Sequence, residues 1–268
     1  MSSANFVKLP IFKQSSRETF LRRVFLYFGG KKWYNRNMKI FAVSDLHLSG
    51  TASKPMDVFG SEWTGHFDKI KADWLEKVRE EDVVLLGGDT SWGMKPEEGL
   101  FDVAALAGLP GRKVFVRGNH DFWWNGISRV RAGAPDDTFY FLQNDCVKFG
   151  NLIVAGSRGW TSPGSSDFTE HDMALYLREA ERFRLAFHEV AKLRQAEDRL
   201  LVLMHYPPMG VKQDATLFTR LFEENGVNAV VFGHLHGAAY YPLRSEKNGV
   251  RYYLTSCDKT KFSLTEIG

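Results

Sequence analysis

Thiols are scarce in this chain: only Cys146 and Cys257 occur, far apart and in no CxxC pair. Neither a disulfide framework nor a thiolate zinc site is expected, and a reducing cytoplasm is the default compartment. No apolar run reaches the eighteen or so residues of a membrane span. The first thirty residues lack the compact apolar core and small-residue cleavage site of a secretory signal, so the reading is a soluble, cytoplasmic protein. Charge of one sign is also lacking. A net charge of +3 over 268 residues falls short of the footprint of a dedicated nucleic-acid binder. Internal repeats and low-complexity linkers are absent, and 44% hydrophobic residues is ordinary for a folded protein.

Residues 1–37 form a basic N-terminal extension, with Lys8, Lys13, Arg17, Arg22, Arg23, Lys31, Lys32 and Arg36 against the single acid Glu18. Ser16 can cap an amphipathic helix to about Phe28, with Phe20, Leu21, Val24, Phe25 and Phe28 on one side and Gly29-Gly30 as its stop. Three readings stay open: a weak membrane-surface or partner contact, a helix docked on its own domain, or Met38 as the natural start.

From Met38 onward, short β-type runs alternate with helical stretches, the signature of an α/β domain. The runs are Lys39 to Val43, Val83 to Leu86, Lys113 to Val116, Leu152 to Ala155, Leu200 to Met204 and Ala229 to Phe232. Phe139 to Phe149 and Val250 to Thr255 read as further strands. Helices are expected at about Gly65 to Arg79, Glu97 to Ala107, His171 to Ala196 and Ala215 to Asn225. The third lies in a helical insertion around 159–196, which reads equally as a cap over the site or as an outer helix.

Polar residues follow these runs at once. Asp45-Leu46-His47 ends the first, Gly87-Gly88-Asp89 the second and Gly118-Asn119-His120-Asp121 the third. His205 precedes Tyr206-Pro207-Pro208, and Gly233-His234-Leu235-His236-Gly237 follows the last. A single strand-end Asp is commonly a turn former and a lone His is commonly structural. The joint pattern differs. Five of the eight histidines stand at strand ends, where open α/β sheets gather ligands, while His66, His171 and His188 read as ordinary residues. Oxygen and nitrogen donors without thiolate suit two divalent or trivalent ions, Mn²⁺ and/or Fe, with Zn²⁺ as a further option. Two such ions can activate a bridging water for in-line attack on phosphorus, which removes the need for a catalytic Ser or Cys.

These blocks resemble the calcineurin-like metallophosphoesterase superfamily, whose D-x-H, G-D, G-N-H-D/E, H and G-H-x-H motifs stand here in order from Met38 to the chain end. The resemblance implies a four-layer αββα sandwich, two mixed β-sheets flanked by helices, over residues 38–268. It implies one metal on Asp45, His47 and His236, another on Asn119, His205 and His234, and Asp89 bridging both. His120 would stabilise the transition state or protonate the leaving oxygen, and Asp121 would orient His120. The segment Gly156-Ser157-Arg158-Gly159-Trp160 is similar to a bacterial branch of predicted phosphohydrolases. The UDP-diacylglucosamine hydrolases share D-x-H-L but usually carry Arg where His120 stands. Protein phosphatases place Arg near both the G-D and G-N-H blocks, whereas here Arg117 precedes Gly118 and no Arg follows Asp89.

The expected function is dinuclear hydrolysis of a phosphoester, with a phosphodiester favoured over a phosphomonoester or phosphoprotein. A non-catalytic metal-binding scaffold for a protein partner is the alternative of another class. Arg158 could grip a phosphate, and Trp92 and Trp160 could border a small or nucleotide-like substrate, as could Trp123 and Trp124. No stable nucleic-acid binding is expected.

Overall fold

The structure is a computed structural model that describes residues 38–268 apart from 53, 166–167, 211 and 238–239. The expected N-terminal helix lies outside the described residues. The strands are β1 (Ile40–Val43), β2 (Val83–Leu86), β3 (Arg112–Phe115), β4 (Phe139–Phe141), β5 (Asp145–Phe149), β6 (Leu152–Gly156), β7 (Arg199–Leu203), β8 (Ala229–Phe232), β9 (Arg244–Lys247), β10 (Val250–Leu254) and β11 (Thr265–Glu266). The α-helices are α1 (His66–Lys77), α2 (Pro96–Ala104), α3 (Ile127–Ala132), α4 (Glu170–Leu193) and α5 (Leu217–Glu224).

One sheet has the order β11-β1-β2-β3-β4 and the other β5-β6-β7-β8-β10-β9. β1 to β4 run parallel, as do β6, β7, β8 and β10, with antiparallel strands at the margins. Both sheets are therefore mixed, as expected. The four-residue strands IFAV, VVLL and AVVF are apolar at every position because both of their faces are covered. Alternate residues separate cleanly. Ile40, Ala42, Val83, Leu85 and Val114 meet Val154, Leu201, Leu203, Ala229 and Val231 between the sheets. Phe41, Val43, Val84, Leu86 and Phe115 face outward onto Ile70 and Trp74 of α1 and Val103 of α2. Ile153, Ala155, Val202, Val230 and Phe232 of the second sheet face α4 and α5. The result is the four-layer αββα sandwich.

The apolar stretch from Phe139 to Phe149 is two strands. Leu142, Gln143 and Asn144 separate them, Asn144 is left-handed at φ 64°, and the chain crosses there from the edge of one sheet to the edge of the other. Alternation alone cannot show such a crossing, since each half keeps its period of two. β9 went unnoticed in the sequence because its residues are Arg, Ser, Glu and Lys; Asn248-Gly249, both at positive φ, turn it back into β10.

The segment expected as an insertion contributes α4, whose buried residues Tyr176, Ala180, Phe183, Phe187 and Val190 recur at helical spacing. They pack on the outer face of the second sheet, so α4 serves as an outer layer. Phe183 is fully buried, with ring centroids 5.6 Å from Phe218 and 5.3 Å from Phe222. Phe183→Ala should cost about 3–5 kcal/mol of stability, measured by chemical denaturation; a loss under about 1 kcal/mol would show that α4 is dispensable to this core.

Candidate metal centre

All parallel strands present their carboxyl ends at one edge, and the two sheets are joined there. Ser44 N–H donates to Thr255 O (2.8 Å), Cys257 N–H donates to Ser44 O (3.0 Å), and the Ser44 and Thr255 hydroxyls lie 2.7 Å apart. Asp45, fully buried on the first sheet, accepts the His234 N–H of the second at 3.0 and 3.2 Å. A side chain at Gly233 has no room, since its Cβ would stand 2.5 Å from Asp45 Oδ2.

The expected ligands converge in two clusters with the Asp89 carboxylate between them. In one, His47 Nε2 lies 3.4 Å from His236 Nε2, which lies 3.5 Å from Asp45 Oδ1. In the other, Asn119 Oδ1 is 2.6 Å from His205 Nε2 and 2.9 Å from His234 Nδ1, and those two nitrogens are 3.2 Å apart. Asp89 Oδ2 stands between them, 4.0 Å from His47 Nε2 and 3.5 Å from His205 Nε2.

Donors about 2.1 Å from a cation lie roughly 3.0–3.4 Å from one another in octahedral or tetrahedral sites; the 3.2 and 3.4 Å spacings fall in that range, the 2.9 and 3.5 Å spacings lie at its margins, and the 2.6 and 4.0 Å spacings fall outside it. Asp45, His47 and His236 form one group able to hold an ion, and Asp45, Asp89 and His205 another. The His47 Nδ1 atom is buried without a hydrogen-bond partner among the described residues, none of which fixes its tautomer through that atom. Burial lowers His47 and His234 to about 3, which keeps both rings neutral. Burial, with help from Asp121 and Asp45, pushes the Asp89 carboxyl up to about 7. His236 differs: burial disfavours its charge, yet hydrogen bonds to Asp258 and Asp45 lift it to about 10.

Several donors sit on strained backbone. Asp45 (φ 62°), His47 (46°), Asp89 (51°) and His234 (74°) are left-handed, a conformation that non-glycine residues adopt at a cost. The backbone repays part of it: Asp45 N–H donates to Gly88 O (2.9 Å), and His47 N–H to Asp89 O (3.0 Å). Gly118 is required by close approach, because a Cβ there would collide with the Asp89 carboxylate and its backbone N.

His120 stands beside the donors. Its ring is 5.8 Å from that of His47 and 4.6 Å from Trp92, and no hydrogen bond holds its ring nitrogens among the described residues. The resemblance implies that Asp121 orients this ring, but the Asp121 carboxylate makes its hydrogen bonds elsewhere. It accepts the backbone N–H groups of Asp89, Thr90, Ser91 and Gly118 and the indole N–H of Trp123. Asp121 thus ties together the loops after β2 and β3, and reaches His120 through the backbone.

Trp92 stacks on His47 at 4.7 Å and 20° and bonds Met56 Sδ through its indole N–H, so it braces a donor. Trp123 and Trp124 are core residues. Trp160 gives its indole N–H to Asp172 Oδ1 (2.8 Å) and supports the Arg158 guanidinium 4.5 Å above its ring.

Three residues escaped the sequence reading. Asp258 accepts from His236 Nδ1 (2.9 Å) and Gly237 N (2.8 Å). It follows the apolar β10, so the same strand-end rule would have found it. His66 Nε2 bonds Leu46 O at 2.8 Å and steadies the loop between Asp45 and His47. Trp63, nearly buried, lies 6.3 Å from the His47 ring and 6.0 Å from that of His236; no local pattern marked it.

A model of the calcineurin-like phosphoesterase family matches residues 38–238, and the chain belongs to that family. It is a metal-dependent phosphoester hydrolase. No curated protein matches it by sequence. Among solved structures, a protein of unknown function from Aquifex aeolicus is similar at 14% identity, covering 86% of this chain and 96% of its own, with a TM-score of 0.45. The phosphopantetheinyl hydrolase of Mycobacterium tuberculosis is similar at 13% identity, covering 85% and 95%, with a TM-score of 0.49. No helix among the described residues is long and apolar enough to cross a membrane.

Asp258 should fix the tautomer and orientation of His236, as carboxylates do for metal-binding histidines. Asp258→Ala should weaken metal affinity about 10–100-fold in a chelator competition. Asp258→Asn, whose amide oxygen still accepts the Nδ1 proton, should recover part of it. Equal affinity in Asp258→Ala and the parent would remove Asp258 from the centre.

Proposed function

We propose that the chain is a phosphodiesterase with a two-cation centre, one cation on Asp45, His47 and His236, the other on Asn119, His205 and His234, and Asp89 shared. The observation that carries this reading is the place of Asp89 Oδ2 between the two donor groups, 4.0 Å from His47 Nε2 and 3.5 Å from His205 Nε2. Cations held there would polarise the phosphoryl oxygens and lower the pKa of water. The donor set, nitrogen and oxygen throughout, favours Mn²⁺ or Fe, with Zn²⁺ also compatible.

The residues around the donors do the rest. His120 lies outside both donor groups with a ring free of hydrogen bonds among the described residues, which leaves it available to stabilise the transition state or to protonate the leaving oxygen. Asp121 serves it by fixing the loop on which it stands. Rings of Trp63, Trp92 and Tyr206 border the donors, Tyr206 at 4.3 Å from the His234 ring. Trp63 and Tyr206 are buried and Trp92 alone of the three is partly exposed, a flat face that suits the uncharged ester arm of a small or nucleotide-like diester. This supports the diester over the monoester and phosphoprotein readings.

Bis-p-nitrophenyl phosphate should therefore be cleaved faster than p-nitrophenyl phosphate with Mn²⁺ present. Asp89→Asn should reduce that rate by at least about 10³-fold. His120→Asn should lower kcat about 10²–10⁴-fold with metal content unchanged by elemental analysis. Faster cleavage of the monoester would overturn the diester preference, and no hydrolysis of either compound with Mn²⁺, Fe²⁺ or Zn²⁺ would overturn the whole reading.

A further inference from the structure

The same edge of the sheets holds a cluster of arginines. A cavity of about 120 Å³ opens beside the ends of β3, β4 and β6 and is walled by Arg117, Arg158, Arg178 and Arg182, with Ser157 among them. It has room for several waters or for one phosphate group.

Its charge is unbalanced. Glu179, fully buried, is the carboxylate that reaches these groups, and it is already engaged by Arg182 Nη1 (2.5 Å) and Ser157 Oγ (3.0 Å). Among the described residues no ion pair joins Arg117, Arg158 or Arg178. The Nε atoms of Arg117 and Arg158 are buried with no hydrogen-bond partner. Water screens part of the repulsion among these guanidinium groups, since Arg178 is exposed and the others are half-buried, and an anion would relieve the rest. The planar forks of arginine match phosphate oxygens in pairs. Arg158 is held ready for this by the Trp160 face beneath it.

The cavity is tied to the metal centre through the backbone. Arg117 precedes Asn119 by two residues, which sets their Cα atoms at most about 7 Å apart. Arg158 O accepts the N–H groups of His205 (2.9 Å) and Tyr206 (3.3 Å). A ligand with one group at the donors and another among the arginines would span neighbouring loops.

We propose that this arginine pocket binds a second phosphate group of the substrate, so that the preferred substrates are small phosphodiesters that also carry a terminal phosphate. The proposal rests on the phosphodiesterase reading above, and its test separates the two. Thymidine 5′-(p-nitrophenyl phosphate) and its 3′-phosphorylated counterpart differ by one terminal phosphate. With Mn²⁺ and the full chain, the 3′-phosphate should raise kcat/KM at least about tenfold, mainly through KM. In Arg158→Gln and Arg178→Gln that ratio should fall towards one; Arg178 is exposed, so its replacement leaves the core intact.

Equal kcat/KM for the two compounds in the parent, or an unchanged ratio in both variants, would overturn the pocket while leaving the hydrolase standing. A second measurement is independent of catalysis. In calorimetry with EDTA present, thymidine 3′,5′-bisphosphate should bind the full chain once, and Arg178→Gln should weaken it at least about tenfold. Absent binding, or equal affinity in the variant, would overturn the pocket even if both esters are cleaved. Binding with hydrolysis of neither ester would uphold the anion site and overturn the hydrolase reading.

Discussion

The centre exists because two twisted sheets, which meet face to face through apolar side chains, are pinned together by polar groups at one edge. Ser44 at the end of β1 exchanges backbone hydrogen bonds with Thr255 and Cys257 after β10, and the Ser44 and Thr255 hydroxyls close the junction. Dispersion and apolar burial are non-directional and would let the sheets slide by fractions of an ångström. Hydrogen bonds near 2.8 Å set the register. Asp45, His47, Asp89 and Asn119 come from the first sheet and His205, His234 and His236 from the second, so neither sheet alone carries either proposed ligand group in full.

Given that junction, the loops must hold several polar side chains in a small volume. Four of the seven proposed ligands accept left-handed backbone to do so, at about 1–3 kcal/mol each. The buried carboxylate of Asp121 is the main restraint. Five N–H donors converge on it from the loops after β2 and β3, including the N–H of Asp89 itself. A carboxylate so satisfied is a rigid post. Asp89 is therefore held by its backbone, which leaves its side chain free for the two donor groups apart from the His120 N–H it accepts at 2.7 Å.

Much of this was legible in the sequence, for physical reasons. Strands buried on both faces must be apolar throughout, so IFAV, VVLL and AVVF declare themselves, and residues that break the run must turn at the sheet edge. Ligands placed there are contiguous with their strand. The rest is long-range. Trp63 reaches His47 and His236 from a 3₁₀ turn with no periodicity of its own. The change of sheet after Phe141 is marked only by Leu142, Gln143 and Asn144, within a stretch that otherwise alternates smoothly. Asp258 was legible in principle but lacked the flanking Gly and His that made the other segments conspicuous.

Arg178 and Arg182 show why a charged helix face resists reading. On α4 they are four residues apart, the spacing of an ordinary solvated stripe, and Glu179 between them suggests a routine ion pair. Packing changes their meaning. The apolar side of α4 must lie on the outer face of the second sheet, and this docking carries the helix past the ends of β3 and β6, where Arg117 and Arg158 emerge. Glu179, expected at the surface for a charged residue, is instead fully buried, so its charge is spent within the cluster. The excess of guanidinium over carboxylate at this edge follows from where the helix docks, and it is this excess that the proposed phosphate would meet.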